Sequence, residues 1–301
     1  MERTELINRF RGSGCCVLEQ EPLSADTTFR IGGPAELFVT ASSAEQAAAV
    51  LRLCHETETP LFLLGNGSNL LVSDDGVGGV VLHLAAGTPG WAIDGTTVTA
   101  EAGVTLAKLC LALGEAGLSG LEFAYGIPGT VGGGVYMNAG AYGGQLSDVI
   151  CSVTALTPSG EIVTLDKDEL ALGYRHSAFM ENGLTVWSVT MKLSEGEPSA
   201  VRAAMADYLA RRRDKQPLEY PSAGSFFKRP EGHFAGALIE QCGLKGFTVG
   251  GAQISEKHAG FVINRGGATC ADVTTLGDEV ARRVKATFGV ELEREVQFIG
   301  R

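Results

Sequence analysis

Gly126-Ile-Pro-Gly-Thr-Val-Gly-Gly-Gly134, continued directly by Val-Tyr-Met-Asn-Ala-Gly-Ala-Tyr-Gly143, is the stretch on which the fold turns. Five of its first nine residues are glycine, and ordering glycine costs more backbone entropy than ordering any other residue. The segment asks for a compensating contact. A flat or phosphate-bearing cofactor lying against bare backbone supplies one. Earlier in the chain the apolar run Pro60-Leu-Phe-Leu-Leu64 leads into Gly65-Asn-Gly-Ser-Asn69 and then into Leu70-Leu-Val72. A strand, a glycine-rich turn and a second strand expose successive backbone N–H groups, a nest suited to a pyrophosphate. Taken alone, a G-x-G is more often a simple tight turn. The third glycine of a dinucleotide fingerprint is missing, because position 70 is Leu70. Neither G-x-G-x-x-G nor G-x-x-x-x-G-K-[ST] occurs anywhere in the chain, so Rossmann and P-loop chemistry lack their usual signatures.

Length and composition bound the rest. At roughly 100–200 residues per domain, 301 residues make two or three domains. Hydrophobic residues at 45% and charged residues at 20% are ordinary for a globular protein. Lys and Arg number 24 against 35 Asp and Glu, a net charge of −11. Such a surface repels phosphate backbones, and 7% aromatic residues offer little for base stacking, so no nucleic-acid partner is expected. The cysteines, Cys15, Cys16, Cys54, Cys110, Cys151, Cys242 and Cys270, are odd in number and form no C-x-x-C pair. That disfavours a disulfide framework and a structural zinc site, and suits a reducing cytoplasm. The five histidines never fall at metal-ligand spacing, so no metal is expected. Residues 1–10 mix both charge signs without a signal-peptide core, and no apolar run approaches the ~18 residues of a membrane helix. The 41 glycines, nearly twice the ~7% background, punctuate short apolar strands rather than a low-complexity tract.

Periodicity predicts strands and helices around the two loops. Glu36–Thr40 reads as a strand, and Ser42-x-x-Glu45 as a capping box opening a helix with Ala47, Val50, Leu51 and Cys54 on its apolar face. Val80–Leu84 and Thr96–Ala100 read as strands, and Leu106–Ala116 as a helix capped by Thr105 and stopped by Gly117. Val153–Thr157 and Glu161–Leu165 form a hairpin through Pro158-Ser-Gly160, and Leu184–Leu193 is a strand. The polar joint Ser194-Glu-Gly-Glu-Pro198 marks a domain boundary, followed by a helix from Ser199 to about Arg213. Phe234–Gln241 and Ala271–Phe288 read as helices, the second opening on the capping box Thr269-x-x-Asp272. Gly260–Asn264 and Val290–Ile299 read as strands. In the latter, Val290, Leu292, Val296 and Phe298 face one way, and Glu291, Glu293, Glu295 and Gln297 the other.

The pair Gly65-Asn-Gly-Ser-Asn-Leu70 and Gly126-Ile-Pro-Gly-Thr-Val-Gly-Gly133 resembles the flavin-binding loops of the vanillyl-alcohol-oxidase-type FAD fold. Within that class the chain resembles the UDP-N-acetylenolpyruvoylglucosamine reductase (UDP-N-acetylmuramate dehydrogenase) family over nearly its whole length. The further pieces that carry the likeness are Thr28-Phe-Arg-Ile-Gly-Gly33, Gly173-Tyr-Arg-His-Ser177, Pro221-Ser-Ala-Gly-Ser-Phe-Phe-Lys228 and Leu292-Glu-Arg-Glu-Val-Gln-Phe-Ile-Gly300. The resemblance implies an α+β protein: two α/β FAD-binding subdomains, 1–83 (joined by the terminal strand 290–301) and 84–197, plus a C-terminal α/β substrate-binding domain, 198–289. It implies non-covalent FAD held by Gly65, Asn66, Gly67, Ser68, Asn69, Leu70, Gly126, Ile127, Pro128, Gly129, Thr130, Gly132, Gly133, Asn138 and Gly140. It also implies NADPH as hydride donor, UDP-N-acetylglucosamine enolpyruvate as acceptor, and a cytoplasmic, monomeric enzyme of peptidoglycan-precursor synthesis with no membrane partner.

In that family FAD takes hydride from NADPH, and flavin N5 passes it to the β-carbon of the enolpyruvyl ether. Negative charge builds on the conjugated carboxylate, and the α-carbon then takes a proton, so the site needs charge stabilisation and a proton donor. By the resemblance, Arg175 stabilises the charge. A guanidinium holds a carboxylate bidentately and stays protonated, although a lone Arg after a Tyr otherwise reads as a surface residue. Ser225, on a turn that Gly224 permits, is implied as the proton donor, with Lys228 as cationic help. No G-x-S-x-G makes it a hydrolase serine. Glu295 is implied to stabilise the intermediate, while Glu291 and Glu293 read as a solvated face. Gln297 stands where the family often has Arg, a change expected to alter neighbouring contacts rather than the chemistry. Tyr174, Lys215, Lys228, Arg229, Lys245 and His258 are the implied substrate contacts. The chain lacks the family's tyrosine-bearing insertion after the Tyr-Arg motif and so resembles the short subtype, leaving Tyr142 and Tyr174 as candidates to cover the substrate. An oxidase of the same fold and a non-enzymatic binding protein are the alternatives. Retention of Arg175, Ser225 and Glu295 together favours the reductase.

Overall fold

The computed structural model describes all residues, Met1–Arg301, and they form two compact α+β units. The first comprises Met1–Glu19, Leu37–Asn66 and Gly79–Arg211, the second Gln20–Glu36, Gly67–Gly78 and Arg212–Arg301. The grouping differs from a division at residue 198. Phe29, Ile31 and Leu71 bury their side chains in one core with Phe226, Val273 and Val296, so early segments of the chain fold with the C-terminal residues.

The first unit has two cores. In one, the helix Ala44–Glu56 buries Ala47, Val50, Leu51 and Cys54 against Phe10, Val39, Val80 and Leu82. The cap sits one residue later than the spacing predicts: Ser43 Oγ accepts the Gln46 N–H at 3.3 Å, while Gln46 Oε1 reaches back to the N–H of Ser42 at 2.7 Å. The sheet order is Cys16–Pro22, Pro34–Ala41, Val77–Leu84, Leu61–Leu64, with the last pair parallel. Leu61–Leu64 is an edge strand, so only Leu64 of its four residues is buried.

The other core lies on a five-stranded antiparallel sheet, ordered Ile162–Asp166, Ile150–Leu156, Thr185–Lys192, Thr97–Glu101, Trp91–Asp94. The hairpin turn stands where Pro158-Ser-Gly160 predicts it. Gly160 takes φ +80°, and a Cβ there would lie 2.6 Å from the carbonyl oxygen of Ala48. Val98, Ala100, Val153 and Val189 alternate inward to meet Leu106, Leu109 and Leu113 of the helix Leu106–Glu115, which Thr105 caps.

In the second unit the helix Cys270–Phe288 opens on the capping box of Thr269 and Asp272 and ends at Gly289, φ +71°. Asp74 adds a second cap, its two carboxylate oxygens accepting the N–H groups of Cys270 and Ala271 at 2.8 and 3.2 Å. The strand predicted over 290–299 is confined to Gln297–Ile299, which pairs in parallel with Leu70–Val72. The residues before it run beside Phe226–Lys228 instead. There the N–H groups of Glu295 and Val296 both point at the Phe226 carbonyl, at 2.9 and 3.5 Å. Past this bulge the partner changes from Phe226 to Leu70–Val72, and Val296 is buried while Phe298 is 52% exposed, against the predicted common face. No helix is long and apolar enough to cross a membrane.

Candidate flavin and substrate site

The glycine loops meet on the first unit. A Cβ on Gly65 would lie 2.8 Å from Thr130 Oγ1, and the Asn66 amide donates to the Pro128 carbonyl at 3.3 Å. Thr130 is buried and caps the short helix Val131–Tyr136 through the Gly133 N–H. Two glycines of the cluster serve packing rather than a ligand: a Cβ at Gly132 or Gly134 would come within 2.8 Å of Ala102 or Leu146. Gly133 has only the Thr130 hydroxyl nearby, at 3.5 Å. The backbone N–H groups of Asn66, Gly67 and Ser68 donate to no acceptor within the chain. Neutral backbone N–H donors in a glycine-rich turn fit a pyrophosphate.

Further along the second unit, Gly67 at φ +55° lies so close to Asp26 that a Cβ would stand 2.2 Å from its carbonyl oxygen. Leu70 is buried in the pairing with Gln297. Asn69 does a task the sequence did not reveal. Its amide donates to the Glu295 carbonyl at 3.1 Å, and its own carbonyl accepts the Gln297 N–H at 2.9 Å. Gln297 therefore holds its place by backbone pairing, whatever its side chain.

Arg175 sits on a two-residue hairpin. Gly173 and His176 exchange both backbone hydrogen bonds, at 3.0 and 3.3 Å, leaving Tyr174 and Arg175 at the tip. Arg175 adopts φ +53°, a left-handed conformation uncommon for a non-glycine residue and one that costs backbone energy. Its guanidinium reaches the Gly140 carbonyl at 3.5 Å and lies 5.5 Å from the centroid of the Tyr174 ring, itself 59% exposed. Asn138, expected at the cofactor, is 2% exposed. Its amide donates to the Gly173 carbonyl at 3.0 Å and its oxygen accepts the Ser147 N–H at 3.0 Å. Its side chain braces the Arg175 hairpin. Tyr142 stacks on Tyr208 with ring centroids 5.0 Å apart.

Ser225 and Glu295 come together on the second unit. Ser225 is exposed and bridges Phe261 on one side, while the carbonyl of its neighbour Phe226 takes the Glu295 N–H on the other. Phe226 is 1% exposed and anchors this strand in a notch of the helix Cys270–Phe288, where a Cβ on Gly277 would lie 2.6 Å from the ring. A mid-helix glycine was the only sequence signal of that notch. Lys228, expected to assist Ser225, forms an ion pair with Glu293. Lys245 pairs with Glu240 at 2.7 Å, Arg229 lies 4.5 Å from the Phe234 ring centroid, and Lys215 is exposed at the end of the helix Pro198–Lys215. His258 Nδ1 accepts the Gly260 N–H at 3.0 Å. Burial pushes the Cys54 and Cys110 thiols up to about 12, so both are inert.

Residues 35–166 match the family model of the FAD binding domain. With the abutting glycine loops and their neutral N–H donors, this defines a flavin-dependent oxidoreductase. Residues 216–299 match the model described as UDP-N-acetylenolpyruvoylglucosamine reductase, C-terminal domain. A protein of that name from Lachnoclostridium phytofermentans is 50% identical over 93% of this chain and 92% of its own length. One from Clostridium perfringens is 47% identical over 100% and 98%. The crystal structure of the Thermus caldophilus enzyme superposes with a TM-score of 0.79 at 37% identity, covering 94% of this chain and 98% of that one. The chain belongs to the UDP-N-acetylenolpyruvoylglucosamine reductase family.

Proposed function

We propose that the protein reduces UDP-N-acetylglucosamine enolpyruvate to UDP-N-acetylmuramate with NADPH, the reductase step of peptidoglycan-precursor synthesis. One observation carries the reading. Arg175 stands on a strained hairpin tip of the first unit, while Ser225 and Glu295 adjoin on neighbouring segments of the second. Bound FAD supplies hydride transfer in both directions. The chain supplies the rest. The N–H groups of Asn66, Gly67 and Ser68 would hold the pyrophosphate of FAD, and the backbone of Gly126–Thr130 and Gly133 would contribute to holding the same cofactor. Arg175 grips the enolpyruvyl carboxylate with its planar fork as negative charge builds there. Ser225 gives its hydroxyl proton to the α-carbon, and Glu295 acts on the same intermediate from the adjoining segment. Lys215, Arg229 and Lys245, cations in an acidic chain, supply charge for the diphosphate, and Tyr174 meets the substrate from the hairpin tip. We place the enzyme in the cytoplasm as a monomer, without nucleic-acid or membrane partners.

Because no Rossmann fingerprint provides a separate NADPH site, NADPH and the sugar nucleotide take turns in one pocket. Steady-state kinetics should give parallel double-reciprocal lines with substrate inhibition. Intersecting lines, with a ternary complex by titration, would contradict the proposal.

A further inference from the structure

The strand that presents Ser225 is held from one side by residues 255–261, and one imidazole organises that segment. The Ser255 N–H donates to the Phe261 carbonyl at 2.9 Å, and Ser255 Oγ accepts the N–H groups of Lys257 and His258 at 3.1 and 3.2 Å. The Phe261 N–H closes the turn onto the His258 carbonyl at 3.0 Å. Inside it the buried Gly260 directs its N–H to His258 Nδ1 at 3.0 Å. The carbonyl of the same Gly260 accepts the Phe226 N–H at 2.8 Å, and Phe261 bridges Ser225 itself. The imidazole is thus one residue removed from the backbone of the serine strand.

The ring fits closely. A methyl at Gly236 or Gly260 would come within 3.2 or 2.9 Å of His258 Cε1, and the Phe261 ring meets it edge-on at 5.0 Å. Nδ1 can accept the Gly260 N–H only while unprotonated, which puts the ring proton on Nε2. Burial is the largest influence and holds the imidazole below its ordinary value; a backbone hydrogen bond at His258 opposes it, Lys245 adds to it and Glu240 works against it. Lys245 and Glu240 are paired with each other at 2.7 Å, and Lys228 on the serine strand is paired with Glu293. The charges of Lys245 and Glu240 therefore offset one another near the ring.

We propose that His258 is a positioning residue: as a neutral Nε2–H imidazole it holds Gly260, and so fixes the strand from which Ser225 presents its hydroxyl. The proposal rests on Ser225 as the proton donor. The sign of the pH effect follows from the geometry. Acid protonates Nδ1, turns the acceptor into a donor facing the Gly260 N–H, and releases the turn. Because burial holds the imidazole below its ordinary value, activity is retained down through about 6.5 and is lost only at a pH below that.

Stopped-flow absorbance on the holoenzyme tests this, following flavin reduction by NADPH and reoxidation by the enolpyruvyl sugar nucleotide across pH. His258→Gln places its polar end where Nε2 was and leaves Gly260 without an acceptor. Reoxidation should slow about 10–10²-fold at every pH, the scale of a misplaced reacting group, with flavin reduction little changed. His258→Asn places an amide oxygen where Nδ1 was and cannot titrate. It should rescue most of the rate that Gln loses and abolish the acid limb. The reverse order, Gln active and Asn impaired with the loss in KM for the sugar nucleotide, would make His258 a substrate ligand and overturn the proposal. Equal slowing of both half-reactions in both variants would overturn it as well. Ser225→Ala measured alongside separates the two claims. If it leaves reoxidation unchanged, the donor assignment fails. If it slows reoxidation while both His258 variants behave as wild type, the donor assignment stands and the positioning role falls.

Discussion

Ser225 owes its exposure to its neighbour. Phe226 turns inward at 1% exposure and fixes the strand, so the hydroxyl one residue earlier stands outside. Flavin reduction by NADPH needs no proton at an α-carbon, whereas reduction of the enolpyruvyl group does. Ser225→Ala should therefore leave the first half-reaction nearly intact and slow the second by about 10²–10⁴-fold, the usual contribution of general acid catalysis. Stopped-flow flavin absorbance reads both halves. Equal slowing of the two would make Ser225 a binding or structural residue, and a water held by Glu295 the next candidate donor. The residue types were legible in the sequence, but their partners were not. Lys228 is readable as a cation near Ser225, but its ion pair with Glu293, far along the chain, is not. Asn138 is a cofactor contact by the family resemblance, and the sequence gives no sign that its amide also donates to Gly173. Side-chain hydrogen bonds between distant segments leave no periodic trace in a sequence.

At the scale of elements, helices were read most accurately. Caps and a 3.6-residue stripe are local signals, and Thr105, Thr269 and Gly289 all stand at helix ends. The C-terminal strand was read least accurately. Its alternation assumed one continuous partner, whereas residues 293–296 follow Phe226–Lys228 and Gln297–Ile299 follow Leu70–Val72. The notch at Gly277 joins the helix Cys270–Phe288 to the serine strand and gives a test of that joint. Ala at a helix interior is favoured over Gly by about 1 kcal/mol. Here its methyl would lie 2.6 Å from a buried aromatic ring. Overpacking of that kind costs about 1–3 kcal/mol. Gly277→Ala should therefore lower Tm in thermal unfolding and slow flavin reoxidation more than flavin reduction. A raised Tm with unchanged kinetics would show that Phe226 has room to move and does not set the serine strand.

For the whole molecule, the claim is that one acidic chain, with a net charge of −11, holds FAD without a covalent bond and uses it between two nucleotide substrates. Covalent attachment in such folds uses a His or Cys near a glycine loop, and neither Gly65–Asn69 nor Gly126–Gly144 contains one. The two loops announced the flavin because glycine spacing is itself a local signal. The grouping of Gln20–Glu36 and Gly67–Gly78 with the C-terminal residues was hidden, because it depends on which apolar residues share a core. The most direct measurement is an anaerobic titration of the purified yellow protein. NADPH should bleach the flavin band, stoichiometric UDP-N-acetylglucosamine enolpyruvate should restore it, and acid precipitation should release the colour to the supernatant. A protein that carries no flavin, or whose bleached flavin recovers with oxygen but not with the enolpyruvyl sugar nucleotide, would contradict the account.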